Sequence, residues 1–174
     1  MADAAVRPAI AGDGLAIAWI QLEVWQTGFG NQLPPQVLDT PPAELATSWT
    51  AALNSKNQPV LVAAEGDQLV GFTQVAISER GAEIGEIRVL YVRPAWARRG
   101  HGGRLIAAAA AELRRLGAES GEWWIPETDL ASQQFASSVG WESVGGARVL
   151  DTGRAMLTER RWTGSIDLVL GGVL

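Results

Sequence analysis

The sequence predicts one mixed αβ domain, and three observations carry that reading. Short runs rich in branched and aromatic residues, such as Pro59-Val-Leu-Val-Ala-Ala64 and Gln68-Leu-Val-Gly-Phe-Thr-Gln-Val-Ala-Ile77, are joined by turn residues. The segment Ile106-Ala-Ala-Ala-Ala-Ala-Glu-Leu-Arg-Arg-Leu116 is the strongest helix former in the chain. Between a strand-like run and that helix lies a basic, glycine-rich turn, Arg98-Arg-Gly-His-Gly-Gly-Arg104. The 174 residues suit a single domain spanning 1–174, with no repeat, linker or low-complexity tract to divide it.

In chain order, Ala4-Ala-Val-Arg-Pro-Ala-Ile10 reads as a first strand and Leu15 to Trp25 as an apolar helix, with Gly12-Asp-Gly14 as the turn between them. Thr27 to Asn31 ends that helix, and the pairs Pro34-Pro35 and Pro41-Pro42 bracket a loop with a short helical turn. Ala43 to Leu53 has helical apolar spacing that turns Trp49 inward. Glu65-Gly-Asp67 is a hairpin signal between the second and third strands. Glu79 to Ala82 turns into a central strand, Gly85 to Val92, followed by the Ala-rich helix and its stop at Gly117. Glu122-Trp-Trp-Ile125 is a fifth strand, Asp129 to Val139 a helix closed by Gly140-Trp141, and the tail from Arg148 to Leu174 supplies two final strands.

Composition excludes several functions. There is no cysteine, hence no disulfide, thiolate metal site or cysteine nucleophile, and a single His excludes a histidine metal cluster. A net charge of −5, with one Lys, argues against nucleic-acid binding. No signal-like segment and no apolar run of membrane length is visible, so a cytoplasmic protein with no membrane partner is expected.

The turn carries the chemistry. Gly100, Gly102 and Gly103 let backbone approach a ligand, and the amides at the start of the following helix favour an anion. Arg98, Arg99 and Arg104 add positive charge, so a phosphate-bearing ligand is expected. A P-loop is excluded, because no Lys or Ser/Thr follows these glycines. A dinucleotide fingerprint fails too, with Leu105 at the third glycine position and a long loop after the strand.

With Pro94 setting the register, Ala97-Arg-Arg-Gly100-His-Gly102 resembles the [Q/R]-x-x-G-x-[G/A] cofactor motif of the GNAT superfamily of acyl-CoA-dependent N-acyltransferases. The resemblance extends from about Val6 to Glu142, and the central stretch is its specific part. It implies a mixed, mostly antiparallel sheet of six or seven strands flanked by about four helices. Acetyl-CoA would enter a gap between the fourth and fifth strands, its pyrophosphate on the amides of Arg98 to Gly103 with His101 within the loop and Arg104 assisting. Leu90, Tyr91 and Val92 would bind the pantetheine through their strand, and Asp129 stands where the family commonly starts a helix with Asn. No metal is implied.

The reaction implied is direct acetyl transfer to a primary amine of a small molecule or a peptide, with Glu86 as general base. Strict alternation places Glu86, Arg88, Leu90 and Val92 on one face of the strand, with Ile87, Val89 and Tyr91 on the other. The family resemblance adds a bulge near Leu90. Two positions depart from the pattern: Ala97 replaces the leading Gln/Arg, and Ala136 stands where many members carry the Tyr that acts as acid. These departures leave a weak or inactive CoA-binding sensor as the alternative, and a nucleotide-phosphate enzyme of another fold as a third. A homodimer is admitted as the assembly.

Overall fold

The computed structural model describes residues 4–151 and 156–168. Seven strands form one sheet: β1 (Ala4–Pro8), β2 (Val60–Glu65), β3 (Gln68–Ile77), β4 (Ile84–Val92), β5 (Ser120–Pro126), β6 (Glu142–Asp151) and β7 (Met156–Ser165). Their order is β1-β2-β3-β4-β5-β7-β6, and every pairing is antiparallel except β4 with β5. The parallel pair is forced by the helix α4 (His101–Arg115) between them, a crossover that returns the chain to the same sheet edge. The other helices are α1 (Gly14–Gly28), α2 (Pro35–Leu38), α3 (Pro42–Ala52) and α5 (Leu130–Ser138). The extra helix relative to expectation is α2, the single turn between the proline pairs.

Each sheet face is closed by the helix whose apolar spacing fits it. On one face Leu105, Ile106, Ala109 and Leu113 of α4 pack against Ile87, Leu90, Trp123 and Ile125. On the other, Ile17 and Ile20 of α1 pack on Val60, Val62 and Phe72, and Trp49 of α3 meets Phe72 edge-on at 5.0 Å. The tail strands begin earlier than the sequence suggests, because β6 runs from Glu142; residues 152–155 and 169–174 of that segment lie outside the described residues.

One irregularity sets up everything downstream. In the β3–β4 ladder Gln74 opposes Val89 and Val75 opposes Ile87, so Arg88 has no opposite residue. The bulge expected near Leu90 falls at Arg88, two residues before it, and it reverses the alternation beyond it. Ile87, Leu90 and Val92 all pack against the α4-side core, whereas Val89 and Tyr91 join the cluster under α1. Glu86 and Leu90, expected on one face, are on opposite faces.

Trp141, which follows α5, is 2% exposed and lies on two glycines. A Cβ at Gly121 would stand 2.5 Å from its ring and one at Gly164 only 2.2 Å, while its Nε1 donates to the Ser165 carbonyl at 3.1 Å. The neighbouring atoms are a buried indole fixed by that hydrogen bond, so they cannot swing aside. Gly164→Ala is expected to destabilise the fold by about 1–3 kcal/mol, the usual cost of overpacking, read as a lower midpoint in urea with unchanged slope.

Candidate active site

The parallel pairing of β4 with β5 stops at Ile87 and Trp123, although β4 continues to Val92 and β5 to Pro126. Beyond that point the strands part. The Arg93 amide donates to the Val70 carbonyl at 2.8 Å and Thr73 Oγ1 donates to the Val89 carbonyl, so Val89, Tyr91 and Arg93 turn their polar backbone toward β3. By alternation Leu90 and Val92 turn theirs into the gap.

The gap opens into a cavity of about 590 Å³, with Leu90, Val92 and Trp123 at its base. The end of α1 (Val24, Phe29) and the start of α5 (Asp129, Ser132, Phe135) form its sides, and the glycine turn closes it. That turn needs two left-handed residues, Arg98 at φ 63° and Gly100 at φ 82°. α4 then starts at His101, which leaves the amides of its first turn without intrahelical acceptors. A Cβ on Gly102 would meet Phe135 at 3.4 Å, while Gly103 has nothing within 4 Å. This is a positive, side-chain-free cradle of the kind that fits a phosphate.

The three arginines of the turn separate. Arg98 borders the cavity. Arg99 stacks on Trp96 at 4.7 Å, and Arg104 Nη1 donates to the Arg99 carbonyl at 3.2 Å, so both brace the turn instead. His101, expected within the phosphate-binding loop, points inward instead: it is 1% exposed, packs edge-on against Trp96, and its Nε2 lies 2.8 Å from Glu65 Oε2. Glu65 can only accept, so Nε2 carries the hydrogen; Nδ1 is buried without a partner. The imidazole thus ties the start of α4 to the β2–β3 turn.

Asp129 caps α5, accepting from the Ser132 amide at 3.0 Å, and it borders both the large cavity and a second one of about 240 Å³. Phe29, Leu90, Tyr91, Trp123 and Ser132 are also common to the two, so they meet where the strands part. Trp25 and Trp124 line the second cavity; Trp49 does not, its Nε1 donating to Gln21 at 2.6 Å. The Tyr91 hydroxyl accepts from Trp25 Nε1 at 3.2 Å, and burial pushes the phenol up to about 12.

Glu86 lines neither of these cavities. It faces a third, of about 570 Å³, together with Glu122 of β5 and Glu159 of β7. All three are buried, at 7%, 1% and 6% exposure. Arginines answer them: Arg148 lies 3.6 Å from Glu86 and 2.6 Å from Glu159, Arg88 lies 3.7 Å from Glu86, and Arg80 lies 3.4 Å from Glu122. Ser78 donates its hydroxyl to Glu122. Burial holds the Glu86 carboxyl above its ordinary 4.5, outweighing the opposing pull of Arg88 and Arg148. Arg88, Trp124, Leu150 and Glu159 are common to the second and third cavities, so the row of carboxylates reaches the gap through Glu159.

Glu122, Glu159 and Arg148 were not singled out from the sequence. The cue available was alternation, which puts Glu122 beside Trp124 and opposite the buried Trp123; their assembly depends on β7 inserting between β5 and β6. The surface acids Glu23 and Glu127 are committed to Arg93 and Arg160. Ala136, at the position of the family's acid, is fully buried. Among the described residues no group of His, Cys, Asp or Glu could hold a metal ion.

The splayed parallel pair and the glycine cradle at its mouth define an acyl-CoA-binding fold, and comparison with known proteins agrees. A model of the acetyltransferase (GNAT) family matches residues 18–141, and the chain belongs to that family of transferases acting on acyl-CoA. YncA of Salmonella typhimurium, a putative acetyltransferase solved with acetyl-CoA, superposes with a TM-score of 0.72 at 20% identity, over 98% of each chain. PaiA N-acetyltransferase of Thermoplasma acidophilum, solved with coenzyme A, gives 0.70 at 14% identity over 91% of this chain and 99% of that one. The ribosomal-protein-alanine N-acetyltransferase of Brucella melitensis gives 0.72 at 22%, over 92% and 99%. No curated protein sequence matches the chain.

His101→Leu stays closer to the imidazole in volume and removes the bond to Glu65. The variant is expected to lose about 1–3 kcal/mol of stability and to show faster amide hydrogen exchange in residues 96–104, measured by mass spectrometry.

Proposed function

We propose that the chain transfers an acetyl group from acetyl-CoA directly to the primary amine of a small molecule or peptide. The observation that carries this is the meeting of the two cavities at Leu90, where backbone from β4 faces the gap and the glycine cradle lies at the outer end. The amides of Arg98 to Gly103 and the guanidinium of Arg98 would hold the pyrophosphate. Leu90 and Val92 would hold the pantetheine and orient the thioester carbonyl. Acetyl-CoA supplies the activated acetyl group. The second cavity would hold the amine, and its proton would pass to Glu159 and, through water in the third cavity, to Glu86, whose desolvated carboxyl suits a base; Arg148 would stay charged between the two carboxylates.

The sheet draws strands from Ala4 to Ser165, which supports a single domain over 1–174. No described helix is long and apolar enough to cross a membrane, in keeping with a cytoplasmic protein. The exposed apolar side chains of Val149, Leu150 and Met156 on the β6–β7 hairpin offer a face for a homodimer.

Gly102→Glu is expected to abolish acetyl-CoA binding with unchanged circular dichroism, because its carboxylate would stand against Phe135 in the cradle; an unchanged Kd by calorimetry would overturn the cradle assignment. Glu86→Gln is expected to lower kcat by about 10²-fold or more while leaving acetyl-CoA affinity unchanged. A base works deprotonated, so the wild-type rate should rise with pH through a value above 4.5, and the variant should lose that limb. Full activity in Glu86→Gln with the same pH profile would remove Glu86 as base. Stoichiometric acetyl-CoA binding without turnover of any amine would point instead to a CoA-binding module, the reading that Ala136 favours.

A further inference from the structure

The second cavity is lined mainly by apolar side chains. Trp25, Trp123 and Trp124 line it, Leu33 and Val37 close it from the α2 side, and Leu150 and Leu157 close it from the β6–β7 hairpin. Its charged groups are few: Asp129, Glu159 and Arg88. Arg88 lies toward Glu86, and Asp129 is spent on capping α5. Glu159, which accepts from Arg148 at 2.6 Å, is the carboxylate left to face a large apolar body in this cavity.

Resting on the acetyl-transfer reading, we propose that the acceptor is a small monoamine carrying an apolar, ring-sized body. The ring lies among the three indoles and the ammonium is directed to Glu159. Size sets the upper limit. An apolar cavity of about 150 Å³ accommodates benzene, and here about 240 Å³ is available, room for one ring and a short aminoalkyl arm. Charge sets the class. A polyamine needs several acids spaced along its length, where the lining has two, Asp129 and Glu159, the first capping α5; an acceptor bearing its own carboxylate needs a cation, where the one present, Arg88, is paired with Glu86 at 3.7 Å. A peptide needs an open groove; here Leu33 and Val37 on the α2 side and Leu157 of the hairpin narrow the cavity, with the exposed Leu150 at its rim. Aromatic walls contribute beyond area burial through ring–ring contact, so a flat ring gains more here than an aliphatic chain of equal size.

The test begins with calorimetry of acetyl-CoA, which judges the acetyl-transfer reading by itself. Acetylation rates are then compared for 2-phenylethylamine, spermidine, glycine and an alanine-initiated pentapeptide, each also titrated against the tryptophan fluorescence of the protein with and without CoA. The expected result is a kcat/KM for 2-phenylethylamine at least about tenfold above the other three and saturable quenching by it alone. Val37→Trp and Leu157→Trp, two separate ways of filling the cavity, should each abolish that quenching with unchanged acetyl-CoA affinity, since neither residue borders the cofactor cavity. Glu159→Gln should raise the KM for the amine by about tenfold or more, the loss of a charge-assisted hydrogen bond. Preference for spermidine, glycine or the peptide would overturn the proposal while leaving acetyl transfer intact. Absence of saturable quenching by 2-phenylethylamine would overturn it whatever the rates show.

Discussion

The single unopposed residue in the β3–β4 ladder, Arg88, is the constraint on which the site depends. A bulge bends its strand and increases local twist. Here it sits one residue beyond the last pair between β4 and β5, Ile87 with Trp123. β5 stays paired with β7 as far as Pro126, and β4 stays paired with β3 as far as Val92, so neither strand frays. They diverge as two intact halves of one sheet. The polar backbone of Leu90 and Val92, normally spent on a neighbouring strand, is left facing a gap. A buried peptide group without a partner is costly, so this arrangement is stable only if water or a ligand fills the gap. The same slip directs Glu86 and Arg88 away from the cofactor and toward the row of carboxylates. One residue of register thus separates the side facing the glycine cradle from the side carrying the buried carboxylates.

The glycine turn answers a different demand, that of presenting amides with no side chain in front of them. Two left-handed residues in three positions bend the chain sharply enough for α4 to start facing the gap. Such a turn is held from outside: Arg99 on Trp96, Arg104 on the Arg99 carbonyl, and His101 on Glu65. The imidazole bond links the turn to the opposite end of β2, across the edge of β3, and makes the cradle part of the sheet rather than a free loop. A buried Nδ1 without a partner is the cost of that placement.

Much of the fold was legible because its signals are local. Glycine and proline punctuate the chain close to the observed ends of β2, β3 and α4, and Gly66 occupies the left-handed hairpin position that Glu65-Gly-Asp67 announces. The cofactor cradle was legible for the same reason, being seven consecutive residues. Register was not. The bulge lies at Arg88 because of how β3 and β4 fit together, and nothing in Ile87-Arg-Val89 marks it. The direction of His101 depends on Glu65, thirty-six positions earlier. The carboxylate row requires β4, β5 and β7 to be neighbours, while the order in sequence puts β6 after β5. The early start of β6 was hidden by Gly145 and Gly146, which interrupt any alternating pattern and sit at a register shift in the β6–β7 ladder.

The absence of a hydroxyl at Ala136 is tolerable on magnitudes. A primary alkylammonium with a pKa of about 10.4 lies about 3.4 units above neutrality, a cost of about 4.6 kcal/mol to present the free amine. A thiol with a pKa of about 8.5 lies only about 1.5 units above it, so releasing the thiolate unprotonated costs about 2 kcal/mol. A site limited to one proton-handling group gains more by removing the amine proton than by protonating the leaving sulfur. The structure invests on that side: three buried carboxylates, each set against an arginine, on the face of β4 opposite the α4 side. Burial, with a smaller contribution from the neighbouring Glu122 and Glu159, raises Glu86 against the opposing pull of Arg88 and Arg148. The Tyr91 phenol, with its hydroxyl already accepting from Trp25 and its proton held by burial, can donate a hydrogen bond without surrendering the proton. In the proposed reaction, deprotonation would therefore be the step this chain's own residues assist, and thiolate departure would be left to the intrinsic stability of the sulfur anion.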